Sequence, residues 1–216
     1  MINHENYYAV IMAGGGGTRV WPLSRKACPK QMLQLFQGKS LFEIALDRLK
    51  DLFDPQHIYV VTVNDQVREL SSLAPQIPQE NFLIEPMPRG TAAVVAMAAS
   101  CLYKINPDAV TAILTADHFI ENVADFNETL EAAYQMALSD VLVTLGIQPT
   151  FPSTGYGYIE SGEQVTVFEH IKAYKVNAFI EKPSETRARE FIRNGRFSWN
   201  SGMFIWHVDA ILNEFQ

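Results

Sequence analysis

Short runs of apolar, β-branched and aromatic residues recur along the chain at Tyr7 to Met12, His57 to Val63, Phe82 to Ile84, Val110 to Thr115 and Val141 to Ile147. They predict buried strands. Segments with helical spacing lie between them. In residues 40–53, Leu41, Ile44, Ala45, Leu49 and Leu52 fall on one face, and Ser40 with Glu43 makes a capping box that starts the helix. Thr91 to Tyr103 and Phe126 to Leu138 alternate with strands in the same way. The alternation implies parallel strands joined by helical crossovers, hence a doubly wound, mostly parallel α/β sheet in three α/β/α layers.

After Ile147 the grain changes. Aromatic and Gly-rich strands are expected at Tyr156 to Ser161 and Val176 to Ile180, a helix over Ser184 to Ile192 and a strand around Met203 to Trp206. This part is expected to cover one end of the sheet. No linker, repeat or low-complexity tract divides the chain, so a single domain over residues 1–216 is expected. Val208, Ile211, Leu212 and Phe215 again have helical spacing, but no Gly or polar cap follows, and the pattern reads as a chain cut in mid-helix.

Composition narrows the function classes. A chain of 216 residues with 48% apolar and 19% charged residues has ordinary globular composition and can bury one sizeable core. Its formal net charge of −7 argues against nucleic acid or an anionic membrane as partner, since both are bound through surplus Lys and Arg. Any anion must be met locally. Cys28 and Cys101 are too few and too far apart for a disulfide framework or a metal ligand set. Residues Met1 to Tyr8 lack the basic start and apolar run of an export signal, and Ala92 to Tyr103 is shorter than the roughly 20 residues a membrane-spanning helix needs. A soluble, cytoplasmic protein is expected.

The loop after the first strand carries the chemistry, because ligands of open parallel sheets bind beyond the carboxyl ends of the strands. It reads Ala13-Gly14-Gly15-Gly16-Gly17-Thr18-Arg19, then Val20-Trp21-Pro22-Leu23-Ser24-Arg25, then Pro29-Lys30-Gln31. Successive glycines let backbone N–H groups approach an anion that any Cβ would hold away. Arg19 can fork onto phosphate oxygens and Lys30 can add a point charge. Two commoner motifs fail. The dinucleotide fingerprint has no third glycine, Val20 standing in its place, and a Walker-type loop ending at Gly38-Lys39-Ser40 would need a glycine where Leu33 stands.

The spacing from Gly14 through Arg19 and Pro22 to Pro29-Lys30 resembles the signature of the sugar-1-phosphate nucleotidyltransferases. The strings Trp21-Pro22-Leu23-Ser24-Arg25 and Pro29-Lys30-Gln31 are similar to those of its mannose-1-phosphate guanylyltransferase branch. The resemblance implies a Rossmann-like, GT-A-like fold, incomplete at its C-terminus. Residues 1–147 would form the nucleotide-binding part and 148–216 the start of a sugar-binding part. It also implies transfer of GMP from GTP to α-D-mannose 1-phosphate, giving GDP-mannose and pyrophosphate. The attacking phosphate is already anionic, so such a site works by positioning and charge neutralisation, with Mg²⁺.

On this resemblance Gly14, Gly15, Gly16, Gly17, Thr18, Arg19 and Lys30 hold the nucleotide, and Arg19, Lys30 and Asp117 serve catalysis. Asp117 follows the strand Val110 to Thr115 and so emerges at the edge that carries the Gly loop. In the family the matching Asp binds the metal; a helix or turn cap is the plain alternative. His118 beside it reads as a hydrogen-bonded or packing residue. Glu85-Pro86-Met87-Pro88-Arg89-Gly90-Thr91 resembles the base-recognition segment. Glu85 there could accept from the ring N–H and amine of guanine, Arg89 could assist, and Thr91 is either a ligand contact or an N-cap. Phe179-Ile180-Glu181-Lys182-Pro183 resembles a motif whose Glu holds sugar hydroxyls and whose Lys holds the sugar phosphate. Gly157, within Thr154 to Glu160, and Asn200 complete the sugar-phosphate set, while Trp199 also reads as core.

Family enzymes supply a second metal-binding Asp from a later segment. Asp209 reads instead as a cap. Gly90 stands where the branch usually has Asn, and Thr115 where Pro is usual. Two other readings stay open: a glucose 1-phosphate enzyme with another base, and a truncated, non-catalytic nucleotide or nucleotide-sugar binding module. An exposed apolar face would favour a homodimer.

Overall fold

A computed structural model describes residues 5–15, 21–25, 29–36 and 38–215. In chain order its strands and α-helices are β1 (Tyr7–Met12), β2 (Gln34–Phe36), β3 (Lys39–Ser40), α1 (Leu41–Asp47), β4 (Ile58–Val63), α2 (Asn64–Leu73), β5 (Phe82–Glu85), α3 (Thr91–Ile105), β6 (Val110–Thr115), α4 (Val123–Ala137), β7 (Val143–Ile147), β8 (Gly157–Phe168), β9 (Ile171–Glu181), α5 (Glu185–Asn194), β10 (Phe197–His207) and α6 (Val208–Asn213). They fall into two compact units, Met1–Val143 with Phe204–Gln216, and Thr144–Met203.

The first unit is built on β5, β4, β1 and β6 in that order, all parallel, with the end of β10 running antiparallel beside β6. Parallel strands buried on both faces need side chains that are apolar all round, and residues 7–11 of β1 are buried without exception. Tyr8 and Val10 join a core with Val95, Ala98 and Leu102 of α3 and Ile211 of α6. Tyr7 points the other way, stacks obliquely on Phe53 and Tyr134, and donates its hydroxyl to the Leu130 carbonyl at 3.0 Å. The sheet is therefore covered on both faces, as the alternation of strands and helices predicts.

Helix α1 begins where its sequence says it should. Ser40 Oγ accepts from the Glu43 N–H, and the Glu43 carboxylate accepts from the Ser40 N–H at 2.8 Å, which completes the capping box. Helix α3 starts differently. Its cap position is Gly90, at φ 85° and ψ 173°, so Thr91 is the first helical residue rather than the cap. That conformation is nearly closed to side-chain-bearing residues, which accounts for glycine there. Asp209 is likewise not a cap. His207 takes that position, its imidazole accepting from the Asp209 N–H, and the Asp209 carboxylate accepts from Asn213 one turn on.

The second unit is antiparallel. β9 pairs with β8, and β8 with the start of β10, while Ser201 Oγ donates to the Leu145 carbonyl of β7 at 2.7 Å. Helix α5 is capped by Ser184 and ended by Gly195 at φ 74°, and its Ala188 and Phe191 pack on Tyr158, Phe197 and Trp199. Trp199 is thus a core residue.

Candidate active site

Because β1, β4, β5 and β6 are parallel, their last residues, Met12, Val63, Glu85 and Thr115, reach the same edge of the first unit. Whatever follows them meets there. Gly14 follows β1, and a Cβ on it would stand 3.4 Å from Glu85 Oε2 and 3.5 Å from the Thr62 Cα. The glycine therefore lets a carboxylate from two strands away reach the start of the loop. Gly14, Trp21, Arg25, Asp65, Glu85 and Met87 are among the walls of a cleft of about 920 Å³ at this edge. Glu85 is 7% exposed, its carboxylate held at the cleft wall rather than in open water. Neither Arg89 nor Thr91 is among the described residues lining the cleft. Gly16, Gly17, Thr18 and Arg19 lie outside the described residues, as does Cys28.

The start of the loop is held by the buried amide of Gln31, which is held in turn by Gln66. Gln31 Nε2 donates to the Ala13 carbonyl at 2.7 Å and to Gln66 Oε1 at 2.6 Å, and lies 3.4 Å from the Gly15 carbonyl. Thr62 Oγ1 donates to the same Ala13 carbonyl at 3.3 Å. Holding the carbonyls inward fixes one orientation of this backbone. In the sequence Gln31 stands only as the end of the Pro29-Lys30-Gln31 string and Gln66 carries no signal, since each resembles any surface amide until its burial is known.

Lys30 sits next to that clamp, at the head of a single 3₁₀ turn, Lys30–Met32. Its Nζ donates to Asp117 Oδ2 at 2.6 Å, with both side chains about one-third exposed. The two residues that the sequence places at one edge are thus brought into direct contact. Burial pushes the Asp117 carboxyl up, but the hydrogen bond and charge of Lys30, with help from His118, outweigh it and hold the carboxyl below its ordinary value. His118 lies with Nε2 3.9 Å from Asp117 Oδ1. Burial lowers its imidazole; Asp117 opposes that shift, and the charges of Arg48 and Lys30 reinforce it. A neutral imidazole beside an ionised carboxylate follows at neutral pH.

In the second unit, four further residues singled out in the sequence meet. Gly157 pairs with Glu181 across β8 and β9. A Cβ on Gly157 would lie 2.7 Å from Glu181 Oε2 and 3.5 Å from the Asn200 Cβ, so the carboxylate occupies the space the missing side chain leaves. Lys182 Nζ is 3.4 Å from Glu181 Oε1, both well exposed. The Lys182 backbone adopts φ 43°, with its N–H donating to the Tyr156 carbonyl at 3.3 Å, and Pro183 follows. Asn200 Oδ1 accepts from the Gly202 N–H at 3.0 Å.

An α/β unit whose charged groups gather beyond the carboxyl ends of parallel strands has the layout of the doubly wound ligand-binding proteins. Residues 8–215 match the nucleotidyl transferase family, and the chain belongs to it. It is 38% identical over 213 residues to a mannose-1-phosphate guanylyltransferase of Escherichia coli, covering 95% of this chain and 44% of that protein. A protein of the same name from Klebsiella pneumoniae is equally similar, at 38% over 213 residues and the same coverage. A crystal structure from Thermus thermophilus, described as a mannose-1-phosphate geranyltransferase, is 35% identical with a TM-score of 0.88 over 97% of this chain and 60% of its own. The chain spans less than half the length of the two curated relatives. No helix among the described residues is long and apolar enough to cross a membrane.

Proposed function

We propose that this chain catalyses transfer of GMP from GTP to α-D-mannose 1-phosphate, releasing pyrophosphate. The observation that carries the reading is the Lys30–Asp117 pair at 2.6 Å, next to the amide-clamped start of the Gly-rich loop, in a chain of the nucleotidyl transferase family. The similarity to mannose-1-phosphate guanylyltransferases supports the choice of base and sugar.

In this reading an oxygen of the sugar phosphate bonds to the α-phosphorus of GTP as the bond from that phosphorus to the β-phosphate oxygen breaks. Gly14 to Thr18, Arg19 and Lys30 bind the triphosphate, and Lys30 neutralises charge as it builds on the leaving pyrophosphate. Glu85 reads the guanine edge, with Arg89 and Thr91 nearby in sequence, and Gly157, Glu181, Lys182 and Asn200 bind the sugar phosphate.

Asp117 would hold Mg²⁺. Its carboxylate is a hard oxygen donor, ionised and partly open to solvent, which fits a cation usually bound by one or two carboxylates and the substrate's phosphates. When bound, Mg²⁺ supplies charge neutralisation at the phosphates. A reaction that consumes GTP fits a cytoplasmic protein. Sedimentation at several concentrations tests for the homodimer.

The test is pyrophosphate release from the purified chain with each pairing of GTP, ATP, UTP or CTP and mannose or glucose 1-phosphate. Release confined to GTP with mannose 1-phosphate is expected; a preference for another pair, or nucleotide binding without release, contradicts the proposal. Glu85→Gln exchanges an acceptor-only group for one that also donates, so the preference for GTP over ATP is expected to fall about 10- to 100-fold, read as the ratio of kcat/KM values. The methyl of Gly157→Ala takes the space of the Glu181 carboxylate and displaces it. The KM for the sugar phosphate should rise about tenfold or more, with GTP affinity unchanged.

A further inference from the structure

Arg48 ends helix α1 and is 3% exposed. Its Nη2 donates to the Thr115 carbonyl at 2.7 Å and its Nη1 to the His118 carbonyl at 2.9 Å. The guanidinium lies over the Phe126 ring of α4, 5.2 Å from its centroid, and its Nε is buried without a partner among the described residues. No carboxylate forms an ion pair with it among the described residues. A buried cation is costly when no carboxylate pairs with it, and burial pulls this one down to about 10 while the charge of Asp117 pulls the other way. It still carries its charge at neutral pH.

The two carbonyls it binds are not arbitrary. Thr115 and His118 are the first and last residues of the four-residue turn that presents Asp117, and they lie 67 and 70 residues away in sequence. A planar fork presents its N–H groups to both carbonyls in fixed directions; the three donors of an ammonium rotate on a flexible stem and fix neither. The turn is thereby fixed to α1 and α4 as well as to its own strand. Lys30 meets the Asp117 side chain, and Arg48 holds the backbone at both ends of the turn.

We propose that Arg48 is a positioning residue for Asp117: by clamping both ends of the Thr115–His118 turn, it sets the affinity of that carboxylate for the nucleotide-bound divalent cation. The inference rests on the reading of Asp117 as the metal carboxylate. Groups that orient a metal ligand without touching the metal typically change metal affinity 10- to 100-fold when altered.

The experiment compares the full chain with Arg48→Lys, which keeps a positive charge and loses the fork. Free Mn²⁺ is followed by electron paramagnetic resonance during titration in the presence of GTP, and GTP affinity is measured separately with chelator and no divalent metal. Half-saturating Mn²⁺ is expected to rise about tenfold in Arg48→Lys, with metal-free GTP affinity changed by less than about twofold. Unchanged Mn²⁺ affinity, or an equal loss of metal-free GTP binding, would overturn the proposal. If Arg48→Lys does not fold, Phe126→Leu loosens the guanidinium without removing it: a rise in half-saturating Mn²⁺ of a few-fold supports the clamp, and no rise overturns it. Failure of the wild-type chain to bind Mn²⁺ with GTP overturns the metal reading of Asp117 and this inference together, which is distinct from binding that Arg48 does not influence.

Discussion

Asp117→Asn is expected to lower Mg²⁺-dependent pyrophosphate release by at least about 10²- to 10³-fold, the range seen when one preorganised electrostatic group is removed from a site of this kind. Asparagine keeps the shape of the side chain and its reach to Lys30. What it loses is the charge, so Lys30 faces the incoming phosphates with no carboxylate beside it to hold the metal. The loss should appear in kcat and in the Mg²⁺ concentration needed for half-maximal rate. Activity that stays within a few-fold of wild type, with the same Mg²⁺ requirement, would show that Asp117 has only the turn role.

Lys30→Met has the second largest expected effect, about 10² in kcat/KM for GTP, from loss of the positive charge at the phosphates. It also has a pH signature with a definite sign. In the wild-type chain Lys30 outweighs burial and depresses the Asp117 carboxyl. The ionised carboxylate therefore stabilises the folded chain above its unfolded-state value, and that contribution is lost as pH falls through the lower folded value. Without Lys30, burial acts with less opposition and the carboxyl titrates higher. The acid limb of the residual activity, and of stability, should move to higher pH in Lys30→Met. An acid limb that stays in place would mean that Lys30 does not set the charge state of Asp117.

How much of this was legible beforehand depended on whether the signal was local. Strands β1 and β6 have the bounds that their apolar runs predict, because a parallel strand buried on both faces leaves an uninterrupted apolar string. The capping box at Ser40 is likewise complete within four residues. Helix α2 left no comparable mark, as only Gln66 and Leu70 of its ten residues are buried and its apolar stripe is too thin to read. Strands β8 and β9 run to 12 and 11 residues, well past the short strands expected at Tyr156 and Val176, since their outer halves are mixed in polarity.

The site divides in the same way. The sequence places Lys30 and Asp117 at one sheet edge, but a contact between residues 87 apart is set by the packing of the strands and not by any string of letters. The cleft's Trp21 and Arg25 lie within the recognised string, while Asp65 belongs to the helix that left no mark. Arg48 had a signal that could have been used. It stands four residues after Ile44 and three after Ala45, on the buried stripe of α1, where a charged residue needs partners. Which partners it takes depends on β6 and α4, and only the fold supplies them.

On the proposed function, the edge of the first unit directs attack at the α-phosphorus of a nucleoside triphosphate. Phosphorus NMR of the chain with GTP, mannose 1-phosphate and Mg²⁺ tests it most directly, because the products report which bond breaks. The account predicts pyrophosphate and a new nucleoside diphosphate diester in equal amounts, with mannose 1-phosphate consumed in step and both signals lost in Asp117→Asn. Orthophosphate and GDP, with mannose 1-phosphate untouched, would contradict it.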